Sequence, residues 1–130
     1  MTARVVKVGD HFQLEKAPIS KLQLVKYSGA SGDFNPIHTD DEFAKSSGYP
    51  GVFAHGMLSM AFVGELLSKT FGAAHTTRLH VRFKSITWPG DVVTCHAEVT
   101  SVDGDHAALK VWAATAKGIT VEGTASVRLA

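Results

Sequence analysis

Along the second half of the chain, apolar and polar positions alternate with a period of two. Leu79, Val81 and Phe83 alternate with Arg78, His80, Arg82 and Lys84. Val93, Cys95, Ala97 and Val99 alternate with Thr94, His96, Glu98 and Thr100. Leu109, Val111 and Ala113 form a third set, and Val121, Ala125, Val127 and Leu129 a fourth, interrupted by Gly123. Successive side chains of a strand point to opposite faces, so each set predicts a strand with one buried face. Trp88-Pro-Gly-Asp91, Asp103-Gly-Asp105 and Lys117-Gly118 supply the turns between them. A further strand is expected around His11 to Lys16.

The first half follows a helical pattern instead. Ser20-Lys-Leu-Gln23 has the spacing of a capping box and predicts a short helix with Leu22, Val25 and Tyr27 on its apolar side, ending near Gly29. Thr39-Asp-Asp-Glu42 is a second such box, with acids in the first turn where the helix dipole favours them, and that helix should stop at Gly48. From about Gly56 to Phe71 apolar residues fall on almost every side, and only Glu65, Ser68 and Lys69 mark a wet face. A helix apolar all round is a buried one. Gly64 suggests a close approach by a neighbouring element, and Gly72 a stop.

An antiparallel sheet following one long buried helix is satisfied by a sheet wrapped around that helix. This predicts an α+β chain of the hot-dog type over residues 1–130, as a single domain. The strands' outer residues are Arg, Lys, Glu and Thr, which predicts one wet sheet face. An unpaired sheet edge favours a dimer.

Composition narrows the function. The chain has 130 residues, 45% hydrophobic and 19% charged, so it can form a packed core. Its net charge of +1 argues against a nucleic-acid binder, which needs a basic excess. The single cysteine, Cys95, cannot form an internal disulfide, and with it the cytoplasm is the expected compartment. The first ten residues have no signal-peptide core. The apolar stretch Met57–Leu67 is broken by Ser59, Gly64 and Glu65 and falls short of the ~20 residues of a membrane span.

Chemistry concentrates in Tyr27-Ser-Gly-Ala-Ser-Gly-Asp-Phe-Asn-Pro-Ile-His-Thr-Asp40. Pro36 drives Asn35 out of the helical region, so the segment is expected as a turn or extended loop. Such a loop aims Asp33 and His38 at one point, where a carboxylate and an imidazole serve acid/base chemistry. Ala54-His-Gly-Met57 stands where the buried helix begins. The free amides of a helix start suit a developing oxyanion, and a glycine admits a ligand close to the backbone. Zinc-ligand spacings, phosphate-binding glycine motifs and a G-x-S-x-G elbow are all missing from the sequence.

The run Ser31-Gly-Asp-Phe-Asn-Pro-Ile-His38 resembles the signature of the MaoC-like (R)-specific enoyl thioester hydratases. The resemblance continues through Asp40-Asp-Glu-Phe-Ala-Lys-Ser-Ser-Gly-Tyr-Pro-Gly-Val-Phe-Ala-His-Gly-Met57 and through Val81-Arg-Phe-Lys and Pro89-Gly-Asp91. The chain is also similar to the catalytic subunit of the mycobacterial 3-hydroxyacyl carrier-protein dehydratases. The resemblance implies reversible hydration of trans-2-enoyl thioesters, with Asp33 and His38 as the catalytic pair and the Gly56 amide as oxyanion hole. Asn35 and His55 enter as supporting residues. The substrate is implied to be an acyl thioester of coenzyme A or of acyl carrier protein, with no metal or redox cofactor, and the assembly a homodimer or a heterodimer. Two rivals remain at this point: a hot-dog acyl thioesterase, and a non-catalytic partner subunit that supplies half of a heterodimeric dehydratase. Plainer roles compete residue by residue: a turn for Asp33-Phe-Asn-Pro36, helix capping for His55, core packing for Tyr27, Met57, Met60 and Phe62, and a solvated face or a phosphate contact for Arg78, Arg82 and Lys84.

Overall fold

The computed structural model describes residues 4–130; Met1–Ala3, part of the N-terminal stretch read above, lie outside the described residues. Five strands form one antiparallel sheet in the order β1-β3-β4-β5-β2. They are β1 (His11–Glu15), β2 (Thr76–Phe83), β3 (Thr94–Asp103), β4 (His106–Thr115) and β5 (Gly118–Arg128). The three helices are α1 (Lys21–Ser31), α2 (Asp41–Ser46) and α3 (Gly56–Phe71). Helix α3 lies against one face of the sheet and touches all five strands, which is the hot-dog arrangement.

The alternation on β3, β4 and β5 is converted into burial without exception. Val93, Cys95, Ala97, Val99, Leu109, Val111, Ala113, Val121, Ala125, Val127 and Leu129 all lie in the core. They meet Leu58, Phe62, Val63, Leu66, Leu67 and Phe71 of α3. Each buried Val, Leu or Phe among them contributes roughly 1.5–3 kcal/mol on leaving water. Gly123 is required by a close approach, because a Cβ there would collide with the backbone of His80 and Val81 on β2.

Several helical details differ from the pattern. Leu22 and Val25 of α1 are exposed, and Leu24 and Ser28 are the residues that α1 buries. The inward stripe is therefore set by 24 and 28, one turn apart, rather than by the more frequent apolar positions. Helix α1 runs two residues past Gly29, because Gly32, with φ 76°, is the residue that takes the left-handed C-cap. Asp40 rather than Thr39 caps α2, accepting from the amides of Glu42 and Phe43, and α2 ends at Ser46 ahead of Gly48. Helix α3 has the expected bounds but is not buried all round: Met57 is 52% exposed and Ala61 is exposed as well. No described atom lies within 4 Å of a Cβ built on Gly64, so no element packs closely there.

Strand β2 closes the sheet on one side, with only β5 as neighbour. Its inner residues Leu79 and Val81 are half-buried, and Phe83 is 55% exposed. An edge strand has no second neighbour to cover its end, which is why the same alternation yields less burial here. No helix among the described residues is long and apolar enough to cross a membrane.

Candidate active site

The predicted site residues converge where the α1–α2 connection meets the start of α3. After Gly32 the chain forms a chain of short side-chain-to-backbone bonds. The Asp33 amide donates to Ser31 Oγ at 3.2 Å, the Asn35 amide to Asp33 Oδ1 at 3.2 Å, and the Ile37 amide to Asn35 Oδ1 at 3.2 Å. Asn35 has ψ 122°, as its place before proline requires, and caps a single 3-10 turn over Pro36–His38. Asn35 is thus a backbone organiser. The expected loop is a tight turn that carries Asp33 on its entry and His38 on its exit.

Residues 53–56 receive this turn. The Phe53 amide donates to the Ile37 carbonyl at 3.4 Å, and the Ala54 amide donates to the Thr87 carbonyl at 2.9 Å. The Phe53 carbonyl accepts from His38 Nδ1 at 2.7 Å. A carbonyl only accepts, so Nδ1 carries the proton and neutral His38 presents a bare Nε2. That Nε2 lies 3.9 Å from Asp33 Oδ2. The gap is too long for a direct hydrogen bond and leaves room for one water in contact with both atoms. His38 is buried, whereas the Asp33 side chain is 53% exposed. The pair thus has one wall in the protein and one toward solvent.

His55 is 2% exposed and stacks on His38, with ring centroids 3.8 Å apart. It makes no side-chain cap for α3, contrary to the capping role considered for it. Its Nε2 instead contacts the Asp33 carbonyl and Ser28 Oγ, each at 3.2 Å. Burial pushes its pKa below the ordinary histidine value, an effect the Asp33 carbonyl contact partly opposes. Tyr27 packs edge-on against His55 and is half-buried; burial and the Asp33 charge raise its pKa.

Gly56 opens α3, so its N–H has no acceptor within the helix. A Cβ at Gly56 would lie 3.3 Å from the Phe83 ring. Gly56 and Phe83 line a pocket of about 280 Å³ that also includes Ser59, Ile86, Thr87 and Val121. Ser59 and Thr87 are buried and face each other at 3.4 Å, giving the pocket a polar spot among apolar walls. Sequence reasoning did not single out Ser59, Thr87 or Val121. Ser28 and the Phe53 carbonyl were missed as well, because backbone and hydroxyl partners carry no motif. Lys84 also lines the pocket and pairs with Glu122 at 3.3 Å, while Arg78 and Arg82 stand exposed on the edge strand.

Asp33, His38 and His55 bring ligand atoms within 4.8 Å of one another. The donor set suits water better than a metal. His38 Nδ1 and His55 Nε2 are both committed as donors to carbonyls, and of the two remaining nitrogens His38 Nε2 is the one that meets the carboxylate, at 3.9 Å, while His55 Nδ1 has no partner among the described residues.

The frame behind the site is tied by Asp41. It pairs with Lys21 at 2.6 Å and accepts from the Val52 amide at 3.0 Å. The Lys21 hydrogen bond, followed by the Val52 amide, lowers the Asp41 pKa. These contacts join α1, α2 and the segment leading to His55.

A family model described as MaoC like domain matches residues 4–122. An (R)-specific enoyl-CoA hydratase of Aeromonas caviae is 31% identical over 107 residues, covering 81% of this chain and 79% of the relative. A solved (R)-hydratase from A. caviae involved in PHA biosynthesis superimposes with a TM-score of 0.89 at 28% identity, over 98% of this chain and 100% of that one. A 3-hydroxyacyl-thioester dehydratase X of Mycobacterium tuberculosis is 40% identical over 65 residues, which is 50% of this chain and 22% of the relative.

Proposed function

The chain belongs to the MaoC-like domain family, and on that premise we propose that it interconverts trans-2-enoyl thioesters and (3R)-3-hydroxyacyl thioesters, acting as a hydro-lyase of fatty-acid metabolism. The observation that carries the mechanism is the bare His38 Nε2 facing Asp33 Oδ2 at 3.9 Å beside the start of α3.

The thioester carbonyl accepts from the Gly56 amide, which draws electron density from C3. A water held between Asp33 and His38 loses a proton to the pair as its oxygen bonds to C3. The double-bond electrons shift toward the carbonyl oxygen, and C2 then takes a proton from the same pair. The pair returns to its starting protonation state after each turnover, and both additions reach one face of the alkene. Acid/base assistance of this kind supplies ~10²–10⁴-fold, and one oxyanion donor ~10²–10³-fold. Asn35 shapes the turn, and His55 packs behind His38. The acyl group arrives on coenzyme A or on the phosphopantetheine arm of a carrier protein.

Residues 1–130 act as one hot-dog domain, in the cytoplasm. The working unit is a dimer, of two copies or with a related subunit. Supporting this, the free edge of β2 ends beside the pocket at two exposed apolar residues, Phe83 and Ile86. Light scattering that finds a 13.9 kDa monomer under active conditions defeats the dimer.

The activity is tested with trans-2-enoyl and saturated thioesters on both carriers over a series of chain lengths. The expected result is loss of the enoyl absorbance without release of free thiol, giving the (3R) product. Thiol release with the enoyl chromophore intact identifies a thioesterase and overturns the proposal.

A further inference from the structure

His55 is a buried histidine whose hydrogen bonds settle its tautomer. The Asp33 carbonyl accepts only, so the Nε2 that meets it at 3.2 Å carries the proton. Ser28 agrees with this assignment. Its own proton goes to the Leu24 carbonyl at 3.0 Å, which leaves Ser28 Oγ to accept from the same Nε2–H. The other nitrogen, Nδ1, is then bare, and it is buried with no partner among the described residues. A buried polar atom without a partner costs stability. An apolar residue of similar size avoids that cost, so the imidazole is retained here for what Nε2–H does.

What Nε2–H holds is the backbone of Asp33. The exit of the turn is tied to Phe53 through Ile37 and His38, but its entry, which carries this carboxylate, is otherwise organised by exposed bonds between residues two apart. The His55 contact is the long-range tie of that entry, spanning 22 positions from the start of α3. The same ring lies flat against His38, with centroids 3.8 Å apart and planes 25° from parallel. One side chain therefore touches both members of the pair: the backbone of one and the ring face of the other.

We propose that His55 is a positioning residue for hydration: its Nε2–H holds the Asp33 carbonyl while its ring backs His38, fixing the separation that seats one water. The proposal rests on the hydratase reading for its kinetic consequence, though the tautomer it requires does not. Ser28 is the accessory to this tie. By accepting from the same proton, it keeps the ring from rotating away from Asp33.

The test compares wild type with His55→Gln and His55→Phe, using trans-2-butenoyl coenzyme A as substrate. Gln places an amide N–H near the position of Nε2, whereas Phe keeps a flat ring and loses the donor. His55→Phe is expected to lower kcat by ~10²-fold with KM changed only a few-fold, since displacement by about 1 Å costs that much. His55→Gln is expected to restore kcat to within about tenfold of wild type, the worth of one hydrogen bond. Wild-type kcat in His55→Phe overturns the proposal. So does an equal loss in both variants that follows their loss of melting temperature, which marks a packing role. Long-range proton–nitrogen NMR of wild type gives a readout that does not depend on either variant folding. It should show His55 protonated at Nε2 and bare at Nδ1, and the opposite tautomer overturns the proposal. Absence of hydratase activity in wild type defeats the functional reading instead, and the proposed tie then stands or falls on the tautomer.

Discussion

The central ladder of β3, β4 and β5 and the turn from Asp33 to His38 are held together in different ways. In the ladder, every strand has a neighbour on each side and α3 across its face, so each inward side chain is enclosed. Val111 and Ala113 are fully buried and Leu109 is 1% exposed. In the turn, Asp33, Phe34 and Asn35 are exposed, and a few single hydrogen bonds set the backbone. Stability is therefore spread over many contacts in one region, and chemistry depends on a few atoms in the other. Variants in the two regions should separate folding from turnover.

The largest effect is expected in the turn. Asp33→Asn and His38→Ala should each lower turnover by ~10²-fold or more, the range for groups that move protons. The melting temperature should change little for Asp33→Asn, whose side chain is half in water. Steady-state kinetics with a thermal melt check both halves, and near-normal turnover removes that residue from the mechanism.

The ladder should show the reverse. Leu109→Ala should cost about 2–5 kcal/mol of stability by emptying a filled site. Gly123→Ala should cost about 1–3 kcal/mol or more, because its Cβ is driven into β2. Turnover at a temperature where either variant is still folded should stay near wild type. Denaturant titration paired with kinetics measures both, and a large kcat loss in folded Leu109→Ala breaks the separation.

Gly56→Val lies on the border between the regions. The added Cβ meets the Phe83 ring at 3.3 Å, and that ring is exposed enough to give way. Turnover should fall ~10²-fold through displacement of the amide or obstruction of the pocket. Stability should fall less than in Phe62→Ala, for which ~3–5 kcal/mol is typical. Full activity in Gly56→Val moves the oxyanion hole elsewhere.

A smaller effect is expected from pH. Burial holds His55 and His96 below their ordinary pKa, so the unfolded chain binds protons more readily than the folded one. Their stabilising effect is complete above the unfolded value of 6.5 and is lost as pH falls through the depressed folded values. Glu65, lowered chiefly by its hydrogen bond with Lys16, adds a further loss only below its ordinary 4.5. Urea unfolding as a function of pH should show these two steps, and His55→Gln should shrink only the first. An unchanged first step assigns it to His96.

How much could be read in the sequence follows the same division. The strands, their turns and the bounds of α3 were legible, because alternation and a long apolar run mark elements that pack on a core, but the open side of α3 at Met57 and Ala61 was not. The edge strand was legible as a strand but not in its exposure, since Phe83 loses its cover only through its place in the sheet order. Helix α1 was misread for its face: Leu22 and Val25 look like a core stripe, while Leu24 is the residue enclosed in the core and Ser28 the one that meets His55. At the site, Asp33, His38 and Gly56 were marked by their motif. The partners that orient them were not, because a carbonyl such as that of Phe53 or a serine such as Ser28 looks the same anywhere in a sequence.

The claim that Asp33 and His38 act as one unit on one water is tested most directly by a double-mutant cycle on kcat for hydration of trans-2-butenoyl coenzyme A. The account predicts that Asp33→Asn together with His38→Ala loses far less than the product of the two single losses, because removing either group already disables the shared water. Losses that multiply, in proteins whose melts show them folded, would mean two independent roles and would contradict it.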